Sequence, residues 1–349
     1  MSSIIRYAAV NTKIRAMEGE MLTDDDYRSL LSQPSIPDVV EYLISKTSYR
    51  EAFRGIDVGS LHRGDLETIL KRYAVDLLVK LGHYFQDRYR KFHRILLMGY
   101  EVEDLKVLIR AVYTERDYIN NRHPLIYIGR YGSIDFHSLA ASRSFSELVE
   151  RLRGTEYYPY LVPLANRNQR EDQFQIEMAL DLSYLSIYKK HLKLLNRDEQ
   201  TEICRIQGMR ADLLNLQWIY RGKKFYNLPP EVLLNYTIGF DGHLNYRTIK
   251  DLCYSGTVEE LERKMGSSRY SFLFRHNSTK DIYMERRIYR YQYHRLRHMK
   301  QMGGMDILQT IIYFQLLDYE IRDIISIVEN IRYGIEDPEQ AKKSLIRSL

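Results

Sequence analysis

One helical pattern, written three times, limits what this chain can fold into more than any other feature. Tyr100-Glu-Val-Glu-Asp-Leu-Lys-Val-Leu-Ile-Arg110 returns as Asp212-Leu-Leu-Asn-Leu-Gln-Trp-Ile-Tyr-Arg221 and again as Glu320-Ile-Arg-Asp-Ile-Ile-Ser-Ile-Val-Glu329. Aligned, each copy holds an acid (Glu101, Asp212, Glu320) and then an apolar residue (Val102, Leu213, Ile321). A short polar residue follows (Asp104, Asn215, Asp323), then Leu105, Leu216 or Ile324, then Leu108, Ile219 or Ile327. Apolar residues three apart form one stripe along a helix. The acid at the head of each copy suits the positive end of a helix dipole. A segment recurring about every 110 residues means a body built from copies.

Between the copies lies a second repeated element. Leu30…Ile36…Val39…Leu43…Tyr49 aligns with Leu139…Phe145…Leu148…Leu152…Tyr158 and with Leu252…Val258…Leu261…Met265…Tyr270. Its steps of three and then four are helical. In the first occurrence Thr23-Asp-Asp-Asp26 caps a short helix to Leu31, and Pro37-Asp38 opens another. Ser60 to Leu97 reads as one long amphipathic helix with Leu66, Leu70, Tyr73, Leu77, Leu81 and Phe85 on one side, reaching about 55 Å. Gly99 then permits a turn into the Tyr100 copy, an antiparallel hairpin. Gln173–Leu195 stands in the same way before the second copy, and Asp281–Met302 with Gly303-Gly304 before the third. Arg6–Leu22, whose Ile14-Arg15-Ala16 matches Ile109-Arg110-Ala111, reads as a diverged earlier copy.

The expected architecture is therefore all-α, with pseudo-symmetric helical repeats at 1–98, 99–197 and 198–302, and residues 303–349 adding a further copy that closes the third hairpin. Each boundary is placed inside a hairpin turn. Short extended pieces such as Leu125-Ile-Tyr-Ile128 are the main strand signal, and the polar tail after Pro338 reads as frayed.

Composition narrows the function classes. Apolar content of 44% with 28% charged residues is that of an ordinary soluble protein. No window approaches the roughly 18 apolar residues of a membrane span, and Met-Ser-Ser-Ile-Ile-Arg-Tyr lacks a signal-peptide core, so a cytoplasmic protein is expected. Cys204 and Cys253 have no metal or redox spacing and read as buried small hydrophobes. Thirty tyrosines against one tryptophan favour half-buried faces and interfaces.

No Walker loop, Gly-x-Gly-x-x-Gly, His-Glu-x-x-His or Gly-x-Ser-x-Gly occurs, and no catalytic, cofactor or metal site is assigned. His294 and His298 share a helical face, but Arg295 and Arg297 crowd them. The net charge of +6 is concentrated in Arg286–Lys300, where Arg286, Arg290, His294 and Arg297 form one face. That face reads as solvated cations over an apolar stripe, as a surface for acidic protein or lipid groups, or as a grip on a nucleic-acid backbone. The repeated carboxylates are explained by helix electrostatics without chemistry. Arg15, Arg110 and Arg221 read as intramolecular pairs, and Trp218 as core.

Taken together, these residues resemble the C subunit of the bacterial and archaeal V-type (A-type) ATPases, the counterpart of the d subunit in the eukaryotic vacuolar enzyme. The likeness spans the chain and is concentrated at Tyr7-Ala-Ala-Val-Asn-Thr-Lys-Ile-Arg-Ala-Met17, at Tyr220-Arg-Gly-Lys-Lys-Phe225, and from Leu233-Leu-Asn-Tyr-Thr-Ile238 to Leu244. The chain departs from the family pattern at Gly239-Phe-Asp-Gly242 and at Glu329-Asn-Ile-Arg332. The resemblance implies a funnel with a central hollow that receives the tip of the central shaft (D and F type subunits). It implies a seat on the cytoplasmic face of the membrane rotor ring (c/K type), with membrane contact only through that ring. The protein so implied is non-catalytic, needs no cofactor, and passes rotation between ATPase head and ring so that ATP turnover is linked to proton or sodium transport. Partner contacts are expected at Tyr220, Arg221, Arg286, Arg290 and Arg297. The alternative is a helical-repeat nucleic-acid-binding module that uses residues 286–300.

Overall fold

The computed structural model describes residues 3–57, 59, 61–114, 125–127, 134–166, 173–240, 242–275, 280–335 and 337–348. Among these the fold is all-α, without a strand; of the extended piece expected at 125–128, Ile128 lies outside the described residues and 125–127 form a bend. The N-terminal part holds α1 (Ser3–Gly19), α2 (Asp24–Leu31), α3 (Ile36–Lys46), a 3-10 turn Ser48–Phe53, and α4 (Arg63–Gly82). Next come α5 (Asp87–Thr114), α6 (Phe136–Ala140), α7 (Phe145–Arg151), α8 (Tyr158–Leu161), α9 (Gln173–His191) and α10 (Arg197–Tyr226). The chain continues through α11 (Pro230–Asn235), α12 (Tyr246–Cys253), α13 (Val258–Met265), a 3-10 turn Ser271–Phe274, α14 (Lys280–Met302), α15 (Leu308–Arg332) and α16 (Pro338–Lys343).

The short elements start where their side chains dictate. Thr23 accepts from the Asp26 amide while Asp26 bonds back to the Thr23 amide, a reciprocal cap on α2. Ser35, Ser144, Asn245 and Thr257 cap α3, α7, α12 and α13 through the same side-chain acceptor.

The long helix expected from Ser60 to Leu97 is two helices. α4 ends at Gly82, the chain turns through residues 83–86, and α5 starts at Asp87, which is left-handed at φ 46°. Apolar periodicity carries through the corner because Phe85, Tyr89 and Phe92 are all buried, so nothing in the pattern marks the break. Gly99 sits mid-helix in α5, so the boundary expected at residue 98 falls in no turn. A Cβ at Gly99 would stand 3.4 Å from the Tyr184 ring, so the glycine serves close helix packing. The other two expected turns lie at residues 195–196 and 303–307; after the second, α15 packs back along α14, whereas α9 packs on α5 and not along α10.

The repeated pattern occupies the middle of α5, α10 and α15, and its acids are buried there, far from any helix start. The dipole reading is thereby replaced by a hydrogen-bonded one. Tyr157 donates its hydroxyl to Glu101 at 2.8 Å, Tyr270 to Asp212 at 2.8 Å, and Tyr49 to Glu320 at 2.9 Å. Each tyrosine lies at the start of the last turn of a short module. Tyr157, rather than the aligned Tyr158, fills this place in the second, which gives Leu152–Tyr157 the same spacing as Met265–Tyr270. The short polar residue holds the loop that leaves its helix. Asp104 accepts from the Ile126 and Tyr127 amides at 2.7 Å, Asn215 from Ile238 at 2.7 Å, and Asp323 from Ile346 and Arg347 at 2.5 and 3.0 Å.

The third set is closed by the two ends of the chain. Asp212 also accepts from His243 and Leu244, the residues that lead into α12. In the third set the corresponding bond to Glu320 comes from the Leu22 amide, ahead of α2, at 2.9 Å. Arg347 ties the ends together, reaching the Leu22 carbonyl at 2.7 Å and the Asp24 carboxylate at 2.7 Å, with its guanidinium over the Tyr27 ring. The helix that serves the first module is therefore α15, and α1 does not hold that place. Aligned through Ile14, α1 has Arg6 where Glu101 stands in α5. Instead α1 packs along α15, with its Tyr7 hydroxyl on Glu199. The tail expected to fray is likewise ordered: α16 forms, and Leu345 and Ile346 are buried.

Around these bonds α5 packs on α9, α10 on α14, and α15 on α4. Burial of a leucine such as Leu105, Leu216 or Leu78 contributes about 2 kcal/mol. The carboxyls work in the opposite direction, because burial raises Glu101 and Glu320 from 4.5 to about 7 and Asp323 to about 6.

Two outcomes follow from these contacts. A carboxyl raised on folding binds more protons in the native state, so its contribution is present below about pH 4.5 and lost as pH rises through about 7. Glu101→Gln keeps an acceptor for Tyr157, so urea unfolding should show it level with wild type at pH 4 and more stable at pH 8, by on the order of 2–3 kcal/mol. Arg347→Ala removes the tie between the chain ends and should cost about 1–3 kcal/mol, with faster amide exchange confined first to α2, α16 and the loop at Leu22.

Candidate functional site

The three long helices α5, α10 and α15 turn their acid face to the modules and the opposite face to one another. Counted from each acid, the residues five before (Leu96, Gln207, Gln315), two before (Gly99, Arg210, Asp318) and two after (Glu103, Leu214, Arg322) all line a single cavity of about 440 Å³. Such steps trace one helical face. Its remaining wall comes from α9 and α14, with Tyr184, Tyr188 and Tyr289 prominent, and from Leu78 of α4. This volume lies within the range of ligand-binding sites.

Position repeats around the cavity, but charge does not. On α5, Glu103 pairs with Lys106 at 3.0 Å, and Lys106 reaches Asp181 of α9 at 2.6 Å. On α15, Arg322 pairs with Asp318 at 2.8 Å. On α10, Arg210 has no acid within ion-pair distance among the described residues. Its charge acts on the hydroxyls of Tyr184, Tyr188 and Tyr319, lowering their pKa values against a larger upward push from burial, which takes Tyr184 to about 12. Two further polar atoms at the cavity are unbonded among the described residues, the buried Tyr188 hydroxyl and Gln315 Oε1. Gln207 stands near Tyr188 without reaching bonding geometry. Trp218, expected in the core, is half-buried and lines this cavity.

The residues singled out from the sequence lie elsewhere. Tyr220 is fully buried, its ring 5.8 Å from that of Phe274, so it offers no surface to a partner and its role is packing. Its neighbours share that role: a Cβ at Gly222 would strike the Leu233 side chain, and Lys223 donates to the Cys253 and Ser255 carbonyls at the end of α12. Arg221 is exposed, and among the described residues neither it nor Arg15 forms the expected ion pair; Arg110 does, with Glu177.

The basic face of α14 is largely consumed internally. Arg286 faces Asp323 at 3.7 Å and donates to Ser326, Arg287 donates to the Leu273 carbonyl, and Arg290 donates to the Leu345 and Lys343 carbonyls at 2.8 Å. Lys300 pairs with Glu18 of α1. Arg297 is exposed, 3.3 Å from the Tyr293 hydroxyl. A helix whose arginines hold its own chain together presents little to a phosphate backbone. No helix among the described residues is long and apolar enough to cross a membrane.

The sequence signal for the cavity was available but indirect. Its residues are set by distance from the repeated acid, and none carries a chemical motif.

The sequence model of the ATP synthase (C/AC39) subunit family matches residues 10–342. The chain is similar to the C subunit of the A-type ATP synthase of Methanocaldococcus jannaschii, at 26% identity over 79% of this chain and 70% of that one. It is similar to the protein of the same name from Pyrococcus abyssi, at 22% identity over 97% of this chain and 89% of the other, and to that of Methanosarcina barkeri, at 24% over 88% and 84%.

The internal use of Arg290 can be checked directly. Arg290→Ala leaves the last carbonyls of α16 without their donor and should speed limited proteolysis within residues 337–348, at a stability cost of about 1–3 kcal/mol, while exposed Arg297→Ala should change neither.

Proposed function

The chain belongs to the ATP synthase (C/AC39) subunit family, and on that premise we propose that it is the non-catalytic central-stalk component that joins the rotating shaft of an A/V-type ATPase to its membrane rotor ring. The cavity between α5, α10 and α15 carries this reading. It supports a hollow in which the shaft, of D and F type subunits, seats its tip. A helix is about 10–12 Å across and rises 5.4 Å per turn, so the volume suits about one turn of helix. The seat is therefore shallow. Torque passes through the rim and through the three helices around it, which their packing partners and buried hydrogen bonds keep from bending.

In this role the chain hydrolyses nothing. It sits on the cytoplasmic side and meets the membrane only through the c/K-type ring, so that ATP hydrolysis or synthesis in the head is linked to proton or sodium movement in the ring. Three similar faces around one seat support an adaptor between a single shaft and a ring of many copies. Exposed Phe225, Tyr226 and Tyr333 lie at the far ends of α10 and α15 from the hairpin turns, and aromatic residues of this kind favour a protein interface.

The test is reconstitution of head, shaft and ring in vesicles with and without this chain. With it, ATP addition should build an ion gradient; without it, the head should continue to hydrolyse ATP while pumping falls to background. Undiminished pumping in its absence would sink the proposal, as would failure of the chain to co-purify with ring and shaft.

A further inference from the structure

Two sides of the cavity carry unbalanced charge: α5 with α9 has two acids for one lysine, and α10 has an arginine with no acid among the described residues. The cavity's acids are Glu103, Asp181 and Asp318, the first two shared by Lys106 and the third held by Arg322. Arg210 is left over, on a face that otherwise carries Gln207, Leu214, Gln217 and Trp218. The planar guanidinium of an arginine presents a fork of donors that matches the two oxygens of a carboxylate. Partial removal from water without a counter-ion is unfavourable, and a carboxylate arriving with two parallel acceptors relieves it. The buried Tyr188 hydroxyl beside it is a second donor without an acceptor, and Gln315 Oε1 an acceptor without a donor, both at the same cavity. Donors and acceptors left open together mark a surface completed by something else.

We infer that Arg210 is the anchor for whatever seats in this cavity, receiving a carboxylate presented by the tip of the shaft while Tyr188 and Gln315 take up its neighbouring polar groups. The aromatic walls, Tyr184, Trp218, Tyr289 and Tyr319, enclose the apolar part of that tip. The charge pattern also sets its orientation. The acid must face α10, because on the α5 side Glu103 and Asp181 together outnumber Lys106 and repel it. This inference rests on the reading that the hollow receives the shaft, and it adds the chemical group by which the shaft is recognised and its rotational setting fixed.

Trp218, the single tryptophan of the chain, lines the cavity and reports on occupancy. The experiment titrates the full chain with purified shaft complex whose own tryptophans are replaced by phenylalanine. It follows Trp218 emission and measures affinity in low and in high salt. Binding is expected to change the emission. Arg210→Gln should weaken affinity by at least about tenfold and flatten its salt dependence, with Arg210→Lys intermediate and surface Arg28→Gln without effect. Amide replacement of the acids at the shaft tip, which leaves this chain untouched and its folding unaltered, should give the same loss. The two changes combined should cost no more than either alone. If the shaft binds with a change in Trp218 emission and Arg210→Gln stays within twofold of wild type, the anchor is wrong and the seat stands. If the shaft binds without disturbing Trp218, or does not bind, the seat itself is wrong and the anchor falls with it.

Discussion

Three buried hydrogen bonds from tyrosine to carboxyl hold this molecule in its shape. Tyr157–Glu101, Tyr270–Asp212 and Tyr49–Glu320 each fasten a short helical module to the middle of a long helix. A carboxyl removed from water is costly unless its oxygens are bonded, and here each acid meets a tyrosine, two of them with backbone amides as well. The geometry is demanding: a Cβ at Gly242 would collide with the Asp212 carboxylate, so the loop that wraps this acid must be glycine at that point. Directional bonds of this sort fix the rotation of each long helix about its axis. Once the acid faces the module, the residues two and five before it and two after it face inward.

The cavity is thus a consequence of the same bonds. Its lining recurs in position because the helices are set alike, and differs in charge because nothing in that setting depends on the inward residues. Module docking and the cavity lining are carried on opposite faces of the same three helices. The interior face can therefore vary without disturbing the packing outside.

Much of this was legible in the sequence. The thrice-written pattern, the capped short helices, the turn expected near residue 198 and found at 195–196, and the hairpin at residue 303 all emerge from periodicity and caps. Other features were hidden for identifiable reasons. The break at residues 83–86 carries no glycine or proline at its centre, and its aromatic residues continue the helical rhythm. Gly99 resembles a turn residue because close packing against Tyr184 demands the same absence of a side chain. The arginines of α14 read as a solvated or binding face because a sequence cannot show that their partners are carbonyls of Leu273 and Leu345. The partner of the first module could not be found by reading forward at all, since Glu320 lies 271 residues from Tyr49.

That long reach bears on how the protein is made. The first module leaves the ribosome well before its acid, its packing helix α15 and the Arg347 tie are synthesised. Until then the Tyr49 hydroxyl lacks its carboxylate and α4, although it meets α5 and the Ser48–Phe53 turn, lacks α15, whereas the modules on α5 and α10 find their acids within a stretch already translated. Domains normally settle in order of synthesis; here the leading segment must wait, exposed, for the trailing one. A ribosome stalled before residue 320 leaves a nascent chain whose N-terminal third is the part most in need of a chaperone.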